Sequence, residues 1–547
     1  MIQVQLIDGA LLREMLIAGA AELEKNREKV DALNVFPVPD GDTGTNMTLT
    51  MNNAIKEMAS RECSKAFEVA AAASKGALRG ARGNSGVITS QLMRGFSRYL
   101  DGVEQISPLQ FAKALKSGAD MAYKAVMRPK EGTILTVARV IAEEAIKQAE
   151  AEPENYEALM NTILQSGENI LNKTPEMLPV LKEAGVVDAG GYGLLRIYRG
   201  YAAAMGGEFV EAKPAEQSNA NWDSAEFIDD HDAIEELKFG YHTEFTVQNI
   251  RDDAKMTDIT TFRRHLNRIG DRVHIVGDLN KLNVHVHSND PGRALQYGMG
   301  LGELIEIKVE NMIQQRRDDE QRTAKREPPK KYGMVAVAQG AGFSALLKDL
   351  NVDVVVEGGQ TMNPSIQDIS NAISCINAEN VFVLPNNGNV ILAAQQAAEL
   401  SDKHVFVLPT KNVAMGIAAV VAFQPDVTPE ENAAAMDEAS QRVRTGMITY
   451  AVRDSDFEGM HIEQGDIIGL QNGKVTFRSK EVREVALSLM NAIVTEDDSL
   501  ITVYFGADTN EEDAQALAAE LEELYPDCTV ETLSGGQPLY YYLLSVE

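Results

Sequence analysis

Apolar residues recur at helical spacing through most of the chain up to residue 203. Between residues 9 and 33 they form one face of a single predicted helix, with Asp8 as a suitable N-cap and Gly19 on the same face. The apolar residues of this face are Leu12, Met15, Leu16, Leu23 and Val30. Residues 48–203 are rich in alanine, with apolar residues three and four apart and few β-branched runs. This pattern predicts an all-α first domain.

Beyond residue 237 short apolar strands alternate with helices. Residues 240–310 predict the order β-α-β-β-α-β, which is the ferredoxin-like arrangement. From residue 332 onward, short apolar runs are each followed by a loop and a helix, which predicts an α/β domain with a parallel sheet. The tail predicts a second α/β lobe. The first four strands of this domain are predicted at 334–338, 352–357, 380–384 and 405–409.

Two charged stretches mark the domain boundaries. The first is acidic and polar and contains Pro214, which predicts a partly disordered linker. The second ends in the run Arg-Glu-Pro-Pro-Lys-Lys. The predicted organisation is a helical domain at 1–205, an acidic linker at 206–237, a middle α+β domain at 238–312, a charged linker at 313–331 and an α/β domain at 332–547.

The composition argues against several classes of function. The 547 residues include 81 acidic and 51 basic side chains, a formal net charge of −30, which argues against nucleic acid as a partner. The three cysteines are far apart, which excludes a disulfide scaffold and a cysteine-rich zinc site. The N-terminus does not resemble a signal peptide, and no apolar run reaches membrane-spanning length. We therefore expect a cytoplasmic protein that is not integral to a membrane.

The loop after the first helix concentrates special residues. Asp40 and Asp42 are two residues apart with Gly41 between them, and Pro37 and Pro39 stiffen the approach. Like charges this close repel, and hard oxygen ligands favour Mg²⁺, Mn²⁺ or Ca²⁺. A surface Asp-Gly turn is the simpler alternative. The density of such residues favours a site for a metal and a phosphate.

Three further loops interrupt the helical pattern. Residues 80–86, Gly-Ala-Arg-Gly-Asn-Ser-Gly, stand directly before a helix predicted at 87–99, where backbone N–H groups and the helix dipole suit phosphate. A tight helix–helix turn is the alternative, although it needs one glycine and not three. Residues 129–136 contain Thr133, a common helix N-cap, and residues 185–193 place Asp188 beside Gly190. The loop at 129–136 is by itself an ordinary helix start, whereas the loop at 185–193 suits close approach of a ligand, with a simple connector as the alternative.

Histidines mark the middle domain. His285 and His287 are two residues apart on a predicted strand and therefore face the same side. The third strand of this topology pairs beside the first, which carries His242 and, on the same face, Glu244. Three imidazoles meeting in this way are typical of zinc ligation, whereas two surface histidines are the alternative.

Loops at the carboxyl ends of the α/β strands form a candidate binding surface, because ligands of open α/β sheets bind there. They lie at residues 358–365, 385–389 and 409–411. Ordinary turns are the alternative, since Asn and Gly are common turn residues.

These motifs carry a family resemblance. The first domain resembles the ATP-binding L-subunit domain of dihydroxyacetone kinases in four segments, PDGDTGTNM, GARGNSG, EGTILT and VDAGG. The whole chain resembles the kinase subunit of bacterial fatty acid kinases. The resemblance implies a barrel of antiparallel helices that holds ATP and two Mg²⁺ ions, a zinc-binding middle domain and a C-terminal domain of the DegV type. It implies the metal ligands Asp40 and Asp42, with Asn34 or Asp31 or water as the third, and zinc ligands His242, His285 and His287. It implies the ATP-binding residues Thr43, Gly44, Thr45, Asn46, Gly83, Asn84, Ser85, Gly86, Thr133, Asp188 and Gly190.

The function implied is that of an ATP-dependent kinase. Its acceptor is a fatty acid carboxylate carried by a separate DegV-family binding protein, and its product is an acyl phosphate for phospholipid synthesis. A homodimer is expected from the family. The alternatives are a kinase of dihydroxyacetone and a non-enzymatic regulatory scaffold.

Overall fold

A computed structural model describes residues 4–34, 41–60, 63–206, 239–251, 256–277, 281–311, 329–359, 362–451, 455–457, 460–471 and 474–547. The chain divides into two compact units. Unit 1 joins Met1–Pro214 with Lys330–Glu547, and unit 2 is Ala215–Pro329. Each unit is described by itself.

The first part of unit 1 is helical, as predicted. Its helices are α1 (Gly9–Lys25), α2 (Arg27–Leu33), α3 (Thr43–Ala59), α4 (Ala66–Gly80), α5 (Gly83–Tyr99), α6 (Pro108–Ala125), α7 (Ile134–Ala151), α8 (Tyr156–Leu171), α9 (Thr174–Met177), α10 (Pro179–Glu183) and α11 (Ala189–Gly206). Their apolar faces meet in one buried core. No helix in the described ranges is long and apolar enough to cross a membrane.

The start of the first helix agrees with the prediction, but its end does not. Asp8 caps α1 by accepting a hydrogen bond of 2.9 Å from the N–H of Leu11, and the predicted apolar face is buried. The predicted helix over 9–33 is instead two helices that meet at Asn26. The Asn26 side chain donates to the carbonyl oxygen of Glu22 at 2.7 Å, and such a local bond competes with continued helical geometry.

One close helix crossing in this core joins α1 and α11. At Gly200 a Cβ would lie 2.4 Å from the carbonyl oxygen of Ala18, and at Gly19 it would lie 2.6 Å from the ring of Tyr201. Glycine at both positions therefore lets the two helices approach closely. Contacts this close add dispersion energy that a larger residue would replace with overlap.

Unit 2 contains a four-stranded antiparallel sheet and two helices. The elements are β1 (Tyr241–Gln248), α12 (Met256–Ile269), β2 (Gly270–Gly277), β3 (Lys281–Ser288), α13 (Pro291–Met299) and β4 (Glu303–Asn311). The strand order is β2-β3-β1-β4, so β3 pairs beside β1 as predicted. Residues of the two helices and one face of the sheet form its core.

The second part of unit 1 begins with a parallel sheet in the order β6-β5-β7-β8. Its elements are β5 (Lys330–Ala338), α14 (Ala341–Asp349), β6 (Val354–Glu357), α15 (Ile366–Cys375), β7 (Ala378–Leu384), α16 (Ile391–Glu399), β8 (His404–Val407), α17 (Val413–Val421) and α18 (Pro429–Arg442). Four consecutive β-α steps of this kind are what the alternating apolar runs predicted.

A second lobe completes the chain. It has a six-stranded sheet in the order β13-β12-β9-β16-β14-β15 and a separate two-stranded ribbon of β10 and β11. Its elements are β9 (Arg444–Tyr450), β10 (Ser455–Phe457), β11 (Met460–Ile462), β12 (Ile467–Gln471), β13 (Lys474–Ser479), α19 (Val482–Ile493), β14 (Leu500–Phe505), α20 (Glu511–Leu524), β15 (Thr529–Ser534) and β16 (Tyr540–Val546).

The helical domain and the α/β domain share a hydrophobic core. Ala81 and Val87, at the start of α5, are buried together with Ile366 and Ile369 of α15 and Val390 before α16. Apolar area removed from water in this way stabilises the contact by roughly 25 cal/mol per Å². The glycine loop at 80–86 is therefore anchored to the α/β domain.

We expect Gly200→Ala to destabilise the protein, because the added methyl group meets backbone atoms that cannot move aside. Overpacking of this kind costs about 1–3 kcal/mol, so the urea midpoint should fall. Gly206→Ala in the same helix is the control, since no described atom lies within 4 Å of its Cβ position. Equal midpoints for the two variants would contradict the close crossing.

Candidate functional site

The first turn of α3 is capped by a side chain from α2. Asp31 accepts hydrogen bonds from the backbone N–H of Thr45 at 3.1 Å and from its hydroxyl at 2.9 Å. The two helices come this close because Gly44 has no side chain: a Cβ there would lie 2.5 Å from the carbonyl oxygen of Arg27. A carboxylate is favourable at the positive end of a helix. The predicted loop at 43–46 is thus a helix N-terminus held by α2.

Asp42 lies buried directly before this turn, with 8% of its surface exposed. The pKa of its carboxyl is raised to about 6, mainly because burial disfavours the charge and also because the Asp31 carboxylate is nearby. Hydrogen bonds from the side chains of Asn46 and Asn363 oppose that rise. Burial also raises the pKa of Asp31. A buried carboxyl group beside a half-buried one fits a divalent cation such as Mg²⁺.

The glycine loop forms the first turn of α5, which begins at Gly83 and not at Val87 as predicted. Gly83 has φ +56°, and a Cβ there would lie 2.4 Å from the side-chain nitrogen of Asn46. A Cβ on Gly86 would lie 2.5 Å from the hydroxyl of Thr50. These glycines bring the start of α5 against α3.

Two helix N-termini therefore lie side by side. The Ser85 hydroxyl is 3.5 Å from the carbonyl oxygen of Thr43, and Asn84 donates to the side chain of Asn389 at 3.0 Å. The first N–H groups of a helix have no acceptor within the helix. Both helix dipoles present their positive ends here, an arrangement that suits an anion such as phosphate.

Asp188 joins the other two predicted loops. It accepts a hydrogen bond of 2.7 Å from the N–H of Gly191, and the N–H of Ile134 also donates to it. One carboxylate thus caps α11 and also α7, the helix that follows Thr133. A Cβ on Gly190 would lie 3.1 Å from the Cβ of Ile134, so this glycine permits the two helices to approach.

Two predicted metal ligands have different outcomes. Asp40 lies outside the described residues. Asn34 ends α2, where its backbone N–H donates to the carbonyl oxygen of Asp31 at 3.1 Å. Of the two side chains considered for the third ligand, the Asp31 carboxylate is the one that acts electrostatically on Asp42.

Sequence reasoning missed one contributor to this site. It assigned residues 358–365 to a separate binding surface of the α/β domain. In the structure the side-chain nitrogen of Asn363 donates to Asp42 Oδ2 at 2.6 Å, and Arg82 donates to the carbonyl oxygen of Asn363 at 2.8 Å. Residues 42 and 363 are 321 positions apart, and no local pattern marks such a pair.

The histidines of the middle domain converge as predicted. His242 lies opposite His287 in the antiparallel pair of β1 and β3, and His285 lies opposite Glu244. One ring nitrogen from each of the three histidines lies within 4.8 Å of the others. His242 Nδ1 and His287 Nε2 are 3.4 Å apart, and Glu244 Oε1 is 3.1 Å from His285 Nδ1 and 3.3 Å from His242 Nε2. Three partly or fully buried imidazoles beside a carboxylate fit Zn²⁺.

Known proteins share these domains. Residues 333–547 match the C-terminal domain of the FakA-like family of fatty acid kinase subunits, residues 238–319 match the middle domain of the same family and residues 37–203 match the "DAK2 domain". Protein YloV of Bacillus subtilis (strain 168) is 45% identical over 553 residues, with 100% of each chain covered. The chain belongs to the FakA-like family. It is therefore a fatty acid kinase subunit of the phosphotransferase class.

Other relatives of this fatty acid kinase subunit were also found. An uncharacterized protein of Staphylococcus aureus (strain USA300) is 40% identical over 554 residues, with 99% of each chain covered. Among solved structures, the fatty acid kinase B3 protein of Streptococcus pneumoniae, loaded with linoleic acid, is 12% identical with a TM-score of 0.29, covering 40% of this chain and 99% of that one.

The dihydroxyacetone kinase of C. freundii is 17% identical with a TM-score of 0.28, covering 37% of this chain and 36% of that one. The family assignment depends on the sequence matches and not on these structural similarities.

We expect Asp188→Asn to change the pH dependence of stability. Burial raises the pKa of Asp188 to about 6, so its charge disfavours the folded state fully above pH 6, and this penalty shrinks as pH falls toward the unfolded value near 4. The stability of the variant relative to wild type should therefore be greater at pH 7.5 than at pH 4, by on the order of 1 kcal/mol.

Urea unfolding at the two pH values measures this difference, and any pH-independent cost of the asparagine cancels between them. Asp101→Asn, at an exposed aspartate after α5, is the control and should show no such change. A difference that stays constant with pH would exclude a buried charge at Asp188.

Proposed function

We propose that this fatty acid kinase subunit transfers the terminal phosphoryl group of ATP to a fatty acid carboxylate that a separate acyl-binding protein presents. The product is an acyl phosphate for phospholipid synthesis. The observation that carries the proposal is the meeting of two helix N-termini, those of α3 and α5, beside the buried carboxyl group of Asp42 and the half-buried carboxyl group of Asp31. Such a site offers donors for phosphate and ligands for a cation in one place.

Each part of the site has a role in phosphoryl transfer. Asp42, with Asp40 and either Asp31 or Asn34, would hold two Mg²⁺ ions, which neutralise phosphate charge when bound. The backbone N–H groups of residues 83–85 donate to phosphate oxygens, and residues 43–46 complete the cradle; Gly86 belongs to the same turn, and its own N–H donates to the carbonyl oxygen of Arg82 at 3.2 Å. We assign Thr133, Asp188 and Gly190 to the nucleotide site as well, where one carboxylate holds the starts of α7 and α11.

The acceptor requires little help from the protein. A carboxylic acid with a pKa near 4 to 5 is ionised at neutral pH, so a strong general base is not needed. Positioning and charge neutralisation are then the main contributions of the chain. From the resemblance to fatty acid kinases, we propose that the acyl carrier belongs to the DegV family of fatty-acid-binding proteins and that this protein forms a homodimer.

We also propose that His242, His285 and His287 bind Zn²⁺. The support is chemical: three imidazole nitrogens converge beside the Glu244 carboxylate on one face of a sheet. Glu244 orients the ring of His285 through its hydrogen bond of 3.1 Å.

We further propose that the helices α1–α11 form a barrel and that the C-terminal domain has a DegV-like fold. We propose a ferredoxin-like fold for the middle domain, which the strand order β2-β3-β1-β4 supports. We propose that the protein acts in the cytoplasm, which its three free cysteines support.

We expect Asp42→Asn to abolish turnover. Loss of a metal-binding charge removes several kcal/mol of transition-state stabilisation, so ATP turnover with the fatty-acid-loaded carrier should fall at least about 100-fold. Asp120→Asn, at an exposed residue of α6, is the control and should keep full activity. Unchanged turnover in Asp42→Asn would exclude the metal assignment.

The same assay tests the acceptor. Turnover of wild type that depends on the loaded carrier supports the proposal. Turnover with free dihydroxyacetone would favour a small-molecule kinase, and none with either, in folded protein with Mg²⁺, would favour a regulatory scaffold.

We expect the double variant His285→Ala, His287→Ala to lose bound zinc, because one imidazole cannot retain the ion alone. Elemental analysis of protein purified without chelators measures the zinc content. His265→Ala is the control in the same domain, since His265 packs on the ring of Tyr297 with centroids 5.0 Å apart. Zinc at wild-type stoichiometry in the double variant would remove this site.

A further inference from the structure

The loop that follows β6 reaches the proposed nucleotide site from the C-terminal domain. Asn363 in this loop is 1% exposed, and its side-chain nitrogen donates to Asp42 Oδ2 at 2.6 Å. A charge-assisted bond of this length is among the stronger hydrogen bonds in proteins. The bond fixes one carboxylate oxygen of Asp42, so the direction of the other oxygen is fixed too.

The backbone of the loop is held at the glycine loop. Arg82 donates to the carbonyl oxygen of Asn363 at 2.8 Å, and its guanidinium is 3.4 Å from the carboxylate of Asp368. The N–H of Ile366 donates to the carbonyl oxygen of Ala81 at 3.1 Å, and Arg82 pairs with Ser365 as an antiparallel bridge. Asn363 is therefore positioned by the same residues that begin α5.

This contact belongs to a buried interface. Besides the shared apolar core at the start of α5, Gln91 of α5 donates to Gln396 of α16 at 2.6 Å, and both side chains are buried. Separating a buried amide pair exposes both groups and loses the apolar contacts around them. The interface thus stabilises the contact between the Asn363 amide and Asp42.

The side-chain oxygen of the same amide is left unsatisfied by the described residues. Asn363 Oδ1 is buried and has no hydrogen-bond partner within the described part of the chain. A buried polar atom left in that state costs about 1–3 kcal/mol, and it is retained where something else supplies the partner. At Gly83 a Cβ would lie 3.3 Å from Asn363 Nδ2, so the glycine leaves room for this side chain.

From these contacts we infer that Asn363 is a positioning residue of the kinase site, supplied by the C-terminal domain. Its nitrogen holds Asp42, and its unpartnered oxygen accepts from a water or contacts the cation of the Mg·ATP complex. This role depends on the proposed function, because it places Asn363 at the metal–nucleotide site of that reaction. The helical domain then forms a complete site only when residue 363 is docked on it.

The test compares Mg²⁺-dependent nucleotide binding in the full chain. We expect Asn363→Ala and the similar-sized Asn363→Leu to bind a non-hydrolysable ATP analogue at least tenfold more weakly in Mg²⁺, by titration calorimetry. Both variants lose the donor to Asp42 and the unpartnered oxygen, and Asn363→Leu keeps the volume of the side chain. Binding in EDTA should stay at the wild-type level in Asn363→Ala, because nucleotide without metal does not engage Asp42.

Asn371→Ala is the matched control. Asn371 lies further along α15, where its side chain accepts from Gln367 at 2.7 Å, away from Asp42. Far-ultraviolet circular dichroism and the urea midpoint show whether each variant is folded. Binding of Mn²⁺ with the analogue, followed by electron paramagnetic resonance, gives a signature that a purely structural amide would leave unchanged.

The outcomes separate this role from the proposed function. Wild-type affinity and an unchanged Mn²⁺ spectrum in both folded Asn363 variants would overturn the positioning role and leave the kinase proposal standing. Wild-type protein that binds no Mg·nucleotide would overturn the proposed function and this role with it. A tenfold or larger loss confined to Mg²⁺ conditions, absent in Asn371→Ala, supports the role.

Discussion

The carboxyl group of Asp42 is buried beside Asp31, and a negative charge in that position is costly unless other groups compensate it. Several parts of the chain supply compensation at once: the N-terminal turn of α3, the amide of Asn46 and the amide of Asn363. Each of these groups is placed by helix packing that depends on glycines, such as Gly44 against α2. The arrangement leaves the carboxyl groups of Asp31 and Asp42 close together, and such a pair fits the divalent cation of the proposed function.

The need to compensate the charge of Asp42 also links the helical domain to the α/β domain, and the two share one hydrophobic core. Asn363 reaches Asp42 only because Ala81 and Val87 are buried against α15 and the segment before α16. The polar contacts at Arg82 then set the position of the loop within that apolar contact. Packing supplies the energy of this interface, and hydrogen bonds supply its geometry.

Much of this organisation could be predicted from local pattern. Helical spacing predicted the first domain, alternating apolar runs predicted the parallel strands, and the two-residue spacing of His285 and His287 predicted their shared face. The break at Asn26 was missed because a single side-chain hydrogen bond outweighs helical periodicity there. A Cβ on Gly190 would lie 3.1 Å from the Cβ of Ile134, a contact between helices that the local pattern around Asp188 does not reveal. The Asn363–Asp42 contact was not predictable, since it depends on tertiary packing between residues 321 positions apart.

The length of that separation also has a consequence in time. Synthesis of 321 residues at ribosomal rates of about 5–20 residues per second takes roughly 15 to 60 seconds. During that interval the helical domain has left the ribosome while Asp42 still lacks its amide partner. A nascent chain therefore lacks the Asn363–Asp42 contact throughout that interval, and the proposed site is completed only when the last third of the polypeptide begins to emerge. The order of translation thus delays the proposed positioning of Asp42 until residue 363 has been made.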